Sequence, residues 1–152
     1  MYCPIILSCT SNTNTTRILK LQKKALRVMT KSPYAAHTLE LFTSHNILPY
    51  DLLLKQAKLH FMHSYVYGYA NKSFENTWTT NNQLNPLYDL RNNNDFIIPM
   101  PRIELFKKTP LYSLPLAWNN AGNIKLQHNK VTFKWGLREE LFEELNLSNT
   151  NN

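Results

Sequence analysis

Two cysteines, three glycines and ten acidic residues in a chain of 152 are the scarcities that frame this sequence. Cys3 and Cys9 both lie in one short N-terminal stretch. They cannot build a disulfide framework, and a chain so poor in cysteine suits a reducing compartment. Nor do they form a zinc pair. No CxxC or HxxxH spacing joins them to His37, His45, His60, His63 or His128, although His60 and His63 share a helix face. No metal and no cofactor is expected. With so few glycines there is no glycine-rich phosphate loop, and no histidine or acid stands near either thiol in sequence to activate it. No catalytic residue is assigned. Apolar runs are short as well. None approaches a membrane span, and Pro4 to Leu7 is too brief for a signal-peptide core and has no basic residue ahead of it. The expectation is a soluble protein of the cytoplasm or nucleus.

What the chain has in quantity is positive charge. Lysine and arginine total 17 against 10 acids, for a net +7 and a pI near 9.5. Four of the acids, Glu139, Glu140, Glu143 and Glu144, sit together near the C-terminus, so the rest is more basic than the total implies. Such a balance favours nucleic acid or another anionic surface. At 43% hydrophobic and 12% aromatic the chain is too apolar to be disordered throughout, and its length suits one modest domain.

The sharpest pattern runs over residues 17–31. At about 100° per residue, Ile18, Leu21, Ala25 and Val28 fall on one side of a helix, widened by Gln22, Leu26 and Met29. Arg17, Lys20, Lys24, Arg27 and Lys31 fall on the other, with Lys23 at their edge. Six cations with no acid among them repel one another, so local helix stability does not account for them. An anionic partner does, although an ordinary solvated face would read the same way.

The remaining segments follow in order. Residues 1–16 read as an extended piece with Ile5, Ile6 and Leu7, then a polar run offering N-caps. Ser32-Pro33 ends the basic helix. A short helix is predicted over residues 35–44, with Leu39, Leu41 and Phe42 apolar. A longer one is predicted over 50–67, with Leu53, Leu54, Ala57, Phe61, Met62 and Tyr65 inward, stopped at Gly68. Residues 71–130 carry asparagine runs and five prolines, and read as irregular chain with extended pieces at residues 96–98 and 111–112. A+T-rich codons alone could enrich the asparagines. Sixty residues without regular structure are long for a compact domain. Either the segment wraps the helices through Trp78, Phe96, Tyr112 and Trp118, or it waits for a partner. A last amphipathic helix is predicted over residues 131–147, with Trp135, Leu137, Leu141, Phe142 and Leu145 inward and the glutamates outward. The fold expected is mainly α. It comprises an extended segment (1–16), a small helical bundle (17–70), a long irregular segment (71–130), a C-terminal amphipathic helix (131–147) and a disordered tail (148–152).

A second basic cluster comprises Arg91, Arg102, Lys107, Lys108, Lys125, Lys130, Lys134 and Arg138. Lysine and arginine on phosphates give affinity without sequence reading. Tyr88, Phe96, Tyr112 and Trp118 could stack bases or fill a core.

Set in order, these segments resemble the C-terminal part of reverse transcriptases from non-LTR (LINE-type, jockey-like) retrotransposons. Leu21-Gln22-Lys23-Lys24-Ala25-Leu26-Arg27 is similar to that family's LQKKAIR helix, with His37 and Leu41-Phe42 following at the usual distance. Ile47-Leu48-Pro49 with Leu52 resembles its ILP-plus-helix step, and Phe61-Met62 its FM pair. Tyr88-Asp89-Leu90-Arg91 resembles the Y-x-T-R element, with leucine where threonine is usual. Pro101-Arg102 resembles the basic turn beyond it. Lys107-Lys108-Thr109, Leu111-Tyr112 and Leu116-Ala117-Trp118-Asn119 resemble the K-S-I-x-Y…LWN block, with Ser113-Leu114-Pro115 where a glycine is usual. Phe133-Lys134 with Leu137 and Leu141 is similar to the closing F-K-x-x-L helix.

The resemblance implies a segment that begins in the polymerase thumb, which grips the template–primer backbone. The chain carries no Y-x-D-D turn to hold the two metal ions of an RNA-directed DNA polymerase. It is therefore expected to be catalytically silent alone, with the missing polymerase domains as partners. Its residual function would be non-specific binding of an RNA–DNA hybrid or RNA duplex through Arg17, Lys20, Lys23, Lys24, Arg27 and Lys31, aided by Arg91, Arg102, Lys107 and Lys108. Six phosphate contacts would give a slope of log K against log salt of roughly −5. Two alternatives stand beside this reading. One is a small helical protein-interaction module whose basic ridge docks an acidic partner, and the other is a genomic remnant without function.

Overall fold

A computed structural model describes residues 4–87 and 91–150. The protein is mainly α. In chain order the helices are α1 (Pro4–Leu7), α2 (Asn12–Thr30), α3 (Thr38–Ser44), α4 (Tyr50–Val66), α5 (Asn81–Leu84), α6 (Glu104–Lys107), α7 (Pro110–Asn119) and α8 (Lys130–Thr150). Short 3-10 turns occupy Lys72–Phe74 and Gly122–Leu126. Among the described residues there is no strand, only an isolated antiparallel bridge between Thr80 and Phe96.

α4 is the axle of the fold, packing against α1, α2, α7 and α8. That explains why its inner face is wider than periodicity suggests. Tyr50, Leu54, Leu59, Met62 and His63 are all buried, and a helix covered on several sides has no single apolar stripe. Leu54 and Met62 are buried where the sequence places them, and Leu53, Ala57, Phe61 and Tyr65 are half-buried; Tyr50, Leu59 and His63 are buried although the sequence does not place them inward. Gly68 stops the helix with φ +74°, and the Tyr69 N–H reaches back to the Ser64 carbonyl at 2.7 Å. The main core joins Leu48, Leu59 and Met62 to Trp78, Phe96 and Trp118 and to Phe133, Leu137 and Leu141 of α8. A smaller cluster of Leu26, Phe42 and Leu145 seats α2 against α3 and α8.

The N-terminal apolar patch is helical, not extended. Pro4 opens α1, a position that suits its fixed φ and missing N–H, and Ile5 packs on the main core. α2 likewise starts at Asn12, five residues earlier than the first cation suggests.

The larger correction concerns residues 110–119. Leu111 and Tyr112, expected to be extended, lie in the ten-residue helix α7. Pro110 occupies a first-turn position, where proline is welcome. Pro115 sits inside the helix and cannot donate to the Leu111 carbonyl. The indole Nε1–H of Trp78 takes that place, donating to the Leu111 carbonyl at 3.2 Å. The segment thus wraps the bundle through Trp78, Phe96 and Trp118, all buried, while Tyr112 is half-buried beside Phe106.

α8 carries its core residues at every fourth position, Phe133, Leu137, Leu141 and Leu145. Trp135, expected inward, is 64% exposed. Glu139, Glu140, Glu143 and Glu144 face outward as expected. Glu144 meets Lys55 of α4 at 2.6 Å. Residues 148–150 continue α8 where a disordered tail is expected; residues 151–152 lie outside the described part.

Candidate nucleic-acid interface

α2 is a regular nineteen-residue helix without an acidic residue. Its N-cap is Ser11, in extended backbone. Its end is a tight reversal. Lys31 adopts the left-handed conformation at φ 52°, the Ser32 N–H bonds the Arg27 carbonyl at 3.0 Å, and Pro33 follows. This is the usual helix stop, with lysine in the place where glycine is favoured.

The helix is seated off-centre from its apolar arc. Leu26 is its buried anchor, with Leu19, Gln22, Lys23, Arg27 and Thr30 half-buried around it. The Gln22 amide donates to the Leu48 carbonyl at 2.9 Å. Leu21, Val28 and Met29, expected to anchor the helix, are 66%, 71% and 71% exposed. The physical reason is competition between two sides. The strip from Leu19 through Gln22 and Leu26 to Thr30 has α3 and α4 against it, and Gln22 on that strip finds a partner in the turn between them. Hydrophobicity alone does not select a strip of mixed polarity, so the sequence carries no clear signal for it.

The six cations divide accordingly. Arg17, Lys20, Lys24 and Lys31 are exposed. Arg27 is half-buried, donates to the Ala36 carbonyl at 3.2 Å, and lies over the Tyr34 ring at 5.5 Å. Lys23 is half-buried and lines a cavity of about 240 Å³ with Asp51 and Glu144. Arg17, Lys20 and Lys24 therefore share the solvent side of α2 with Lys31 exposed just past its end, while Arg27 serves its seat and Lys23 is half-buried beside it. At about 100° per residue Arg17, Lys20 and Lys24 lie within a third of the helix circumference.

The second basic group is dispersed. Arg91 and Arg102 are exposed. Lys107 is paired with Glu104, whose hydrogen bond and charge raise the Lys107 pKa above its ordinary value. Lys108 is a half-buried helix end. Lys125 is half-buried and bonds Asp95 at 3.2 Å and the Asn119 carbonyl at 2.9 Å, a structural clamp. Arg138 donates to the Asn46 carbonyl at 2.8 Å, holding the turn between α3 and α4.

The stacking residues also resolve. Phe96 and Trp118 are buried in the main core and do not offer a ring face to a base. Tyr88, with Asp89 and Leu90 of its motif, lies outside the described residues. Among the described residues no three histidine, cysteine, aspartate or glutamate side chains are grouped to hold a metal, and no helix is long and apolar enough to cross a membrane. Comparison with protein-family models, with curated proteins and with solved structures finds no match.

Proposed function

We propose that this chain is the thumb and downstream part of a non-LTR retrotransposon RNA-directed DNA polymerase, and that it grips the phosphate backbone of an RNA–DNA hybrid or RNA duplex without reading sequence. The observation that carries the reading is the solvent side of α2, where Arg17, Lys20 and Lys24 stand exposed with no acid on the helix and with Lys31 exposed just beyond its end. Such a row of cations suits a backbone that places a phosphate charge every few ångströms. The ordered motifs from the LQKKAIR-like helix to the F-K-x-x-L-like helix supply the family side of the proposal.

The reading assigns Lys23 and Arg27 to positioning α2 and leaves contact to the four exposed cations. Four phosphate contacts correspond to a salt slope of roughly −3.5 on a duplex. Binding to a hybrid, measured by fluorescence anisotropy at several salt concentrations, tests it. A cytoplasmic or nuclear setting goes with this role.

One observation favours the second reading, a helical protein-interaction module. Leu21, Val28 and Met29 stand exposed beside the cations, and contiguous exposed apolar groups commonly mark a protein contact. An acidic amphipathic partner would use both halves of that face, and its binding would survive nuclease treatment.

A further inference from the structure

Between α4 and the first turns of α8 lies a cavity of about 270 Å³. His60, His63 and Ser64 line one side, and Lys130, Phe133 and Lys134 line the other. No acidic residue contributes to its wall. Lys130 and Lys134 are exposed at one helical turn's separation, and Lys130 reaches over the Tyr69 ring at 5.9 Å.

The histidines are what set this cavity apart. His63 is 1% exposed, stacked on Phe133 at 4.1 Å between ring centroids. Its Nε2 lies 2.9 Å from the Gln127 carbonyl. A carbonyl only accepts, so Nε2 carries the hydrogen and, in the neutral ring, Nδ1 is a bare lone pair. That Nδ1 is buried without a hydrogen-bond partner, and so is Nε2 of His60. Buried polar nitrogens are nearly always partnered, and two unpartnered ones on neighbouring turns of α4 are a strong departure. The local hydrogen bonds are already committed elsewhere. The Ser64 hydroxyl donates to the His60 carbonyl at 3.0 Å, and the Asn129 side chain accepts from the Val131 and Thr132 N–H groups at the start of α8.

We propose that this cavity binds a tetrahedral oxyanion of the sulfate or phosphate class, held by Lys130 and Lys134 at its mouth and by the rings of His60 and His63 on its wall. A dianion would bring the counter-charge that this cluster lacks. Around the two rings stand Lys130 and Lys134 from α8, His128 from the preceding loop, and the Tyr67 and Tyr69 rings. Burial and the neighbouring cations hold both imidazoles below their ordinary pKa. A bound anion reverses that bias, and each ring then donates through the nitrogen that is now idle. The volume is several times a water's share of liquid, about 30 Å³. An ester could therefore seat its organic part over Phe61 and Phe133.

The test uses the full chain and sodium sulfate, whose charge is constant between pH 5 and 8, against sodium chloride at equal ionic strength. Histidine ring ¹⁵N resonances are followed through the titration. Saturable movement of His60 and His63 toward imidazolium values, with exposed His37 and His45 unmoved, is the expected result. Lys130→Gln and Lys134→Gln, both at exposed positions, should each weaken sulfate about tenfold. Lys20→Ala and Lys24→Ala on α2 should leave sulfate binding unchanged, which separates this site from the backbone-binding reading. Displacement of sulfate by an RNA–DNA hybrid would name a backbone phosphate as the source, and displacement by inorganic phosphate alone a free phosphate. Non-saturating drift shared by all five histidines would mean an adventitious ion only and would overturn the proposal. So would saturable binding that both glutamine variants leave intact.

Discussion

The side-chain amide of Asn119 closes on the backbone of Phe96. Its Oδ1 accepts from the Phe96 N–H and its Nδ2 donates to the Phe96 carbonyl, both at 2.9 Å. The Asn119 carbonyl in turn receives the Lys125 ammonium, which also reaches Asp95. One residue at the end of α7 thus fixes the chain that carries Phe96 into the core. Trp118 and Asn119 have plain structural roles here: one fills the core and the other ties down its cover.

Asn119→Ala should therefore destabilise the fold by about 2 kcal/mol, because two largely buried backbone groups at Phe96 lose their partners. Exposed Asn120→Ala is the control and should change stability by less than about 0.5 kcal/mol. Urea midpoints of the two variants decide the point, and equal midpoints would contradict it.

The pairing of Trp78 with the Leu111 carbonyl makes a different prediction. Trp78→Phe leaves that carbonyl without a donor, since Pro115 has no N–H to offer. Pro115→Ala restores a helical donor. The two substitutions should couple by about 1 kcal/mol in a double-mutant cycle, the double variant being more stable than the sum of the singles. Strict additivity would show that the indole bond contributes nothing.

These two contacts also mark the limit of what the sequence could reveal. α2, α4 and α8 are legible because their apolar residues recur at three- and four-residue steps over several turns. α7 is not, since Pro110 and Pro115 read as breakers, and the indole that makes Pro115 tolerable comes from 33 positions before the Leu111 carbonyl it serves. The seat of α2 is hidden for another reason. Its apolar arc is wider than the surface available to it, and only the packed neighbours decide that Leu26 goes in and Leu21, Val28 and Met29 stay out. The cations were legible as a group, but not the division that leaves Arg27 on Ala36 and Lys23 beside Asp51 and Glu144.

Lys31 holds left-handed backbone at φ 52°. A residue with a Cβ pays about 1 kcal/mol for that conformation, and glycine does not. Lys31→Gly should raise stability by roughly 0.5–1 kcal/mol, the gain being trimmed by glycine's greater freedom in the unfolded chain. A fall in thermal midpoint would contradict the assigned helix stop.

Stability should also depend on pH in a defined direction. His63 is kept neutral by burial and by Lys130 and His128, against the opposing hydrogen bond to Gln127, so its folded pKa lies below the ordinary value. The unfolded chain then binds a proton that the folded chain does not. Stability is full above about pH 6.5 and falls as pH drops below it, by at most about 1.4 kcal/mol per pH unit for one ring. Urea unfolding at pH 8, 7, 6 and 5 measures this. A flat profile, or stability rising toward acid, would contradict the neutral buried ring. Sulfate bound at the proposed anion site should flatten the profile.

The most direct test of the central claim is the salt dependence of RNA–DNA hybrid binding by the full chain, compared with Lys20→Ala/Lys24→Ala. A slope of log K against log salt near −3.5 that shrinks by roughly two in the double variant is the predicted result. A flat slope, or one that the double variant leaves unchanged, would contradict a phosphate grip along the exposed side of α2.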